Sequence, residues 1–313
     1  MVPAPSIFVG LAREKEQRRL AAQAALSQFS IADHYDVMVQ LDRDVHDDEK
    51  LSTTEVDTAL RLMSGVPRSV FLPCFGTGRH IQALLTAGVQ RIVGVDLSPK
   101  CVEKARALCG GDHRVELHVG DLCTWTTTEQ FDASILLGNS FGDIINSEIF
   151  PKVTQGMVRP LKPGGLFVFD YIGRGYLDRC RRASTTVWQA ILDGRPVEDR
   201  RTPRYDPETW VMTIDVEAVA REHGADNVLW RGFYQKLILN DYWLDCHFTR
   251  AGIALRKAGV ATKVNEAYYQ GHVGELGMIA RSTWWVAHKP PERQPRPWRL
   301  PRWLQWLRGP QGG

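Results

Sequence analysis

The chain has 313 residues, 43% hydrophobic and 24% charged, a composition that excludes disordered, collagen-like and heptad-repeat proteins and allows one large or two small domains. Its net charge of +3 is uneven: from Lys289 onward six cations stand against one anion, so the tail carries +5 and the body −2, unlike a nucleic-acid surface. No apolar run approaches the roughly 20 residues of a membrane span, the start Met1–Gly10 lacks a secretory pattern, and the six cysteines form no CxxC pair, so the expectation is a reducing cytoplasm without a disulfide framework.

Residues 11–29, Ala-rich and charged, read as a helix, and Ile31–Gln40, with Ser30 as N-cap, as a second short one. Thr53–Met63 is helical by the spacing of Val56, Ala59, Leu60 and Met63. Short apolar runs then alternate with helical segments. Ser69–Pro73, Arg91–Asp96, Val115–Val119, Phe131–Leu137 and Leu166–Tyr171 are strand candidates; Arg79–Ala87 and Lys100–Leu108 are helices. Such alternation predicts βαβ units and a doubly wound, mostly parallel α/β sheet covered on both faces.

From 184 to about 240 the rhythm breaks. Thr185–Leu192, Trp210–Val216 and Val228–Leu239 read as extended, with turns at Asp193-Gly194 and around Gly224, which predicts an antiparallel insertion. A helix over Asp241–Lys257 and strands at Ala261–Glu266 and Met278–Ala287 close the domain. The expected division is N-terminal helices over 1–64, an α/β domain with the antiparallel insertion over 65–288 and a basic tail over 289–313 rich in Pro and Trp. That tail reads as disordered or oligomer-docking, ahead of an interfacial anchor.

The strongest local signal is Phe71-Leu-Pro-Cys-Phe-Gly76-Thr-Gly78-Arg-His80, between a strand and a helix. Glycines admit a ligand close to the backbone, and a following helix offers free N–H groups. Asp96 ends the next strand, 18 residues after Gly78, where a carboxylate can accept both hydroxyls of a ribose. A dinucleotide fingerprint needs a third small residue, and that position is Ile81, which favours an adenosine ligand without phosphates over a nicotinamide cofactor. Asp121 ends the third strand, Asn139-Ser140 follow the fourth, and Leu161-Lys-Pro-Gly-Gly165 precedes the fifth.

Together these stretches resemble a class I S-adenosylmethionine-dependent methyltransferase over roughly residues 31–288, and the small-molecule branch that includes glycine and sarcosine N-methyltransferases in particular. The resemblance implies that Cys74, Gly76 and Gly78 border the S-adenosyl-L-methionine cofactor. It also implies that Asp96 and Leu97 hold its ribose side, that Asp121 and Leu122 meet the adenine, and that Asn139 and Ser140 floor the methyl site. Tyr35 matches a tyrosine that closes over the cofactor in that branch. Leu72 and Cys74 depart from the family's usual acidic residue and extra glycine.

Methyl transfer from a sulfonium is an in-line displacement that demands positioning and desolvation more than acid–base work. Candidate catalytic residues are His34, Tyr35 and Asp170; His247 and His80 read as structural. Tyr171, Arg174, Arg231 and Tyr234 are candidate substrate contacts, the arginines through bidentate bonds to a carboxylate. Trp188, Trp210 and Trp230 share the insertion and read mainly as packing. The expected activity is methylation of a small metabolite, foremost at a nitrogen of an amino acid or amine-bearing natural product. The alternatives are O-methylation of a small natural product and a degenerate relative that binds a partner. Nucleic acid and membrane are not expected partners; a homo-oligomer is open.

Overall fold

The computed structural model describes residues 35–36, 39, 49–146, 148–172, 185–222, 224–238, 241–250, 252–260 and 282–290. The expected helix over 11–29, most of the one over Ile31–Gln40, the strand at Ala261–Glu266, the tail beyond 290, His34 and Arg174 lie outside them.

Helix α1 (Glu49–Leu62) leads into β1 (Ser69–Pro73), α2 (Ile81–Thr86), β2 (Arg91–Asp96), α3 (Pro99–Cys109) and β3 (Val115–Val119). Then come β4 (Phe131–Leu136), a 3-10 turn over Ser140–Asp143, α4 (Phe150–Val158) and β5 (Leu161–Ile172). Four strands follow, β6 (Thr186–Leu192), β7 (Arg195–Asp206), β8 (Val211–Glu222) and β9 (Ala225–Leu237). Helix α5 (Asp241–Arg250), β10 (Ala254–Val260) and β11 (Ser282–His288) end the described chain.

One sheet has the order β10-β11-β5-β4-β1-β2-β3, with β1, β2, β3, β4 and β5 parallel and β11 antiparallel to β5. The second sheet, β6-β7-β8-β9, is an antiparallel meander. The sequence therefore predicted the doubly wound sheet and its insertion correctly. It missed β7, whose Arg195-Pro-Val-Glu-Asp-Arg-Arg-Thr-Pro-Arg run is too charged to show an apolar pattern. The helix expected over Asp241–Lys257 stops at Arg250; Gly252, at φ +73°, reverses the chain, and Ala254–Val260 pairs with β11 instead.

Alternation along the central strands sorts side chains into two layers. Phe71, Phe167, Phe169 and Tyr171 face α4 and α5, packing with Phe141, Phe150 and Phe248. Leu72, Ile135, Val168 and Trp284 face the other way, against Val56 and Leu60 of α1, Leu84 of α2 and Ala105 of α3. Burying each such large apolar side chain contributes about 1.5–3 kcal/mol. Because β1 lies between β2 and β4, the chain turns outward in opposite directions on its two sides. That opens a crevice beyond the carboxyl ends of β1 and β4. No helix among the described residues is long and apolar enough to cross a membrane.

Candidate functional site

The crevice is walled on one side by the turn after β1. Cys74 adopts a left-handed conformation (φ +50°) and donates its N–H to the Val95 carbonyl at 2.7 Å. A non-glycine residue in this region costs roughly 1–2 kcal/mol, which explains why the family pattern prefers glycine there. Burial, and then the Asp96 charge, push the Cys74 thiol well up, so it is no nucleophile.

The two glycines of the turn differ in purpose. A Cβ on Gly76 (φ +58°) would meet nothing within 4 Å, so its face is open to a ligand. A Cβ on Gly78 (φ +80°) would stand 2.8 Å from Ala105 Cβ and 3.0 Å from Ile81 Cδ1. Gly78 is thus required by the packing of α3 against the turn.

Asp96, at the end of β2, is 9% exposed. One carboxylate oxygen accepts the Gly76 N–H at 2.7 Å and the other the Ser98 N–H at 3.0 Å. Burial pushes its pKa up, against the pull of these backbone donors. Leu97, beside it, is a large apolar side chain left 43% exposed. Asp121 is exposed after β3 and accepts the Cys123 N–H at 2.8 Å, while Leu122 is buried. Helix α4 presses on this turn: a Cβ on Gly156 would lie 2.1 Å from the Leu122 carbonyl oxygen.

The opposite wall is the turn after β4. Asn139 is left-handed (φ +59°) and 4% exposed, and its N–H is donated to Asp170 at 3.0 Å. Its carbonyl accepts Lys236 Nζ at 3.3 Å, from β9 of the second sheet. Ser140 donates its hydroxyl to the Leu137 carbonyl at 3.2 Å. Asp143 closes the turn and carries two partners: Tyr35, donating its hydroxyl at 2.8 Å, and Lys236, at 2.7 Å. Burial, then the Asp143 charge, hold the Tyr35 phenol well above its ordinary value, so it remains a donor. The neighbouring Asp36 accepts the Ser98 hydroxyl on the other wall. Two consecutive residues thereby span the crevice from the β4 turn to the β2 exit.

Asp170 is 4% exposed, with its pKa pushed to about 6 by burial first and the Glu55 charge second. It holds the Asn139 turn from beneath, a positioning geometry. Tyr171 is a correction: alternation along β5 turns it into the phenylalanine cluster, with no exposed surface, away from the crevice. Arg231 is another, lying on the outer face of the second sheet, exposed and paired with Glu217 at 2.7 Å. Tyr234 is on the inner face, where it accepts Arg201 Nη1 at 3.1 Å; the same guanidinium lies 5.3 Å over the Trp188 ring. Trp210 and Trp230 pack against apolar clusters, and His247 stacks on Trp243 and meets Phe150 edge-to-face.

Lys236, Asp143, Glu55 and Arg201 were missed by sequence reasoning. Only Asp143 carried a usable signal, an acidic residue in the same strand-exit turn as Asn139-Ser140.

The order of the seven strands, the glycine turn and the crevice define the fold of class I S-adenosylmethionine-dependent methyltransferases. Residues 73–165, from the end of β1 to the glycine pair of β5, match the family model described as Methyltransferase domain. Similar solved structures include DesVI from Streptomyces venezuelae, at TM-score 0.61 and 17% identity, covering 84% of this chain and 99% of that one. A sugar N-methyltransferase from a Streptoalloteichus species matches at TM-score 0.60 and 18% identity, over 78% and 88% of the two chains. An amino pentose methyltransferase from Micromonospora echinaspora, involved in calicheamicin biosynthesis and solved with S-adenosylmethionine bound, matches at TM-score 0.57 and 17% identity, over 77% and 92%. No curated protein matches the sequence significantly.

Proposed function

We propose that the chain transfers a methyl group from S-adenosylmethionine to a small metabolite, at a nitrogen of an amino acid or amine-bearing natural product. The observation that carries this reading is the Asp96 carboxylate, bonded to the Gly76 N–H at the mouth of the crevice in a matched methyltransferase domain. The sugar N-methyltransferase and amino pentose methyltransferase among the similar structures support an amine acceptor.

The residues fit such a donor. The open face of Gly76 admits its backbone-hugging part, Asp96 meets the ribose hydroxyls, and exposed Leu97 offers an apolar face to the adenine. Asp121 and Leu122 take the adenine edge, and Asn139 and Ser140 floor the methyl group. When bound, the donor supplies an electrophilic methyl carbon on a positively charged sulfur. Tyr35 and Asp36 close over it and exclude water. Tyr234 lines the acceptor side from the second sheet. An amine acceptor loses its proton before attack, to water or to a nearby carboxylate.

Isothermal titration with S-adenosylmethionine, followed by mass spectrometry of reactions with an amine library, tests the proposal. Micromolar binding and a gain of one methyl mass on an amine are expected. No heat at millimolar donor would refute it.

A further inference from the structure

The two sheets leave four edge strands among the described residues: β10 and β3 on the first, β6 and β9 on the second. An open edge offers unpaired N–H and C=O groups to any passing strand, and proteins commonly guard it with charges or bulges. Three of the four are guarded in this way. Strand β3 carries Glu116, paired with Arg91 and His118. Strand β10 carries Arg256 and Lys257 and a register break between Lys257 and Gly259. Strand β9 carries Asp226 and Arg231, with a register break beside it at Ala218/Val219 of β8. Strand β6 has neither device. Thr185–Leu192 holds no charged residue, and its pairing with β7 runs unbroken from Thr186 to Leu192.

Which groups β6 leaves open follows from its hairpin. Asp193 (φ +50°) and Gly194 (φ +75°) form a two-residue turn of the mirror-image type that matches the twist of the strands. Such a turn closes on a hydrogen-bonded pair, here Leu192 with Arg195, and bonded and non-bonded pairs then alternate. Ala190, Trp188 and Thr186 therefore also face β7. Pro196, opposite Ile191, suits a non-bonded position because it has no N–H. Val187, Gln189 and Ile191 turn their N–H and C=O groups to the outer side, where no described strand lies. Their side chains are also exposed, Val187 by 45% and Ile191 by 50%.

We propose that this edge pairs antiparallel with β6 of a second copy of the chain, about a two-fold axis through Gln189. Register selects this occupant. With Gln189 opposite the partner's Gln189, Val187 falls opposite the partner's Ile191, and Ile191 opposite the partner's Val187. Each of these three pairs exchanges two backbone bonds, about six in all. A slip of two residues sets Asp193 of the turn, or Thr185 before the strand, against an open residue instead. On the other face Trp188 meets the partner's Ala190, a large side chain against a small one, and apolar cross-strand pairs of this kind are favourable. The segment brings no like charges together, since it has none. The paired surface is the same patch on both copies, so assembly closes at two. The inference is independent of the reaction assigned to the crevice, for it draws on backbone groups and register alone.

Sedimentation equilibrium on the full chain, from low to high micromolar concentration, should show a monomer–dimer equilibrium and nothing larger. Gln189→Pro removes the central open N–H and spares the bonds to β7, because proline is tolerated on a free edge. It should stay folded by circular dichroism and shift the equilibrium toward monomer by a factor of about ten or more. Oxidised Gln189→Cys should cross-link two copies, since directly opposite Cα atoms lie about 5.5 Å apart, within disulfide reach. Val187→Cys should not, because four residues of strand set its two copies about 14 Å apart. The wild-type chain gives the background from the native cysteines. A monomer at every concentration, a dimer unmoved by folded Gln189→Pro, or a ladder of larger species without a discrete dimer overturns the proposal. Cross-linking at 187 equal to that at 189 overturns it too, and this comparison decides the matter if Gln189→Pro does not fold.

Discussion

Replacing Asp96 separates the two tasks the geometry gives it. As a ligand contact alone, it would be removable without harm to the fold. The structure says otherwise, because its two oxygens accept backbone N–H groups from Gly76 at 2.7 Å and Ser98 at 3.0 Å while the residue is 9% exposed. A hydrogen bond to a charged group is worth about 1.5–3 kcal/mol, and water entering the vacated space returns part of that. Asp96→Ala should therefore lose about 2–4 kcal/mol of stability. Asp96→Asn keeps one acceptor but turns an amide NH₂ toward the other donor, and should lose about 1–2 kcal/mol. Urea denaturation followed by tryptophan fluorescence measures both. In parallel, S-adenosylhomocysteine should bind Asp96→Ala about 30-fold more weakly, the equivalent of about 2 kcal/mol. A variant within 0.5 kcal/mol of wild type, on the order of an ordinary surface change, with unaltered affinity would refute the reasoning.

Lys236→Met strips Asp143 of its cation, and removing one partner of a buried pair costs about 3–5 kcal/mol; adding Asp143→Asn should restore at least half of the loss in thermal denaturation, and strictly additive losses would count against the pairing. Asp170 has a raised pKa, from the ordinary 3.8 to about 6, so between those values the native state holds a proton the unfolded chain has released. Stability then falls as pH rises through that window, on the order of 3 kcal/mol in all. Asp170→Asn should flatten the pH dependence of urea midpoints between pH 4 and 6 by that amount, and an unchanged pH dependence would show another group responsible. Gly156→Ala would set a Cβ against the Leu122 carbonyl, and should cost about 2–3 kcal/mol by denaturant titration while weakening adenosine binding; an unaffected variant would mean that α4 does not press on the Asp121 turn.

What could be read from the sequence was local. The inner parallel strands β1, β2 and β4 are buried almost throughout and mainly apolar, and each ends in a polar or glycine turn at the crevice; Asp96, Asn139 and the Gly76 turn were legible for that reason. Strand β7 was not, because its inward positions include Asp199 and Arg201, a buried ion pair whose sense appears only when Tyr234 and Trp188 are brought against it. Tyr171 and Arg231 were misplaced by the face of the strand on which they fall. One residue of phase turns a side chain from crevice to core, and sequence alone does not fix that phase at the end of a strand buried on both sides.

The long-range contacts explain why the acceptor side resists reading from sequence. Tyr35 and Lys236 share the Asp143 carboxylate, the first across 108 residues of chain, and Lys236 also grips Asn139 across 97. Tyr35 and the second sheet are therefore fastened to the same turn. Asp170 holds that turn from below through the Asn139 N–H, on the layer that also carries Glu55 and Arg79. Anything that orders one side of the Asn139–Asp143 turn lowers the cost of ordering the other, so donor and acceptor are expected to bind with positive coupling, reciprocal in its free energy.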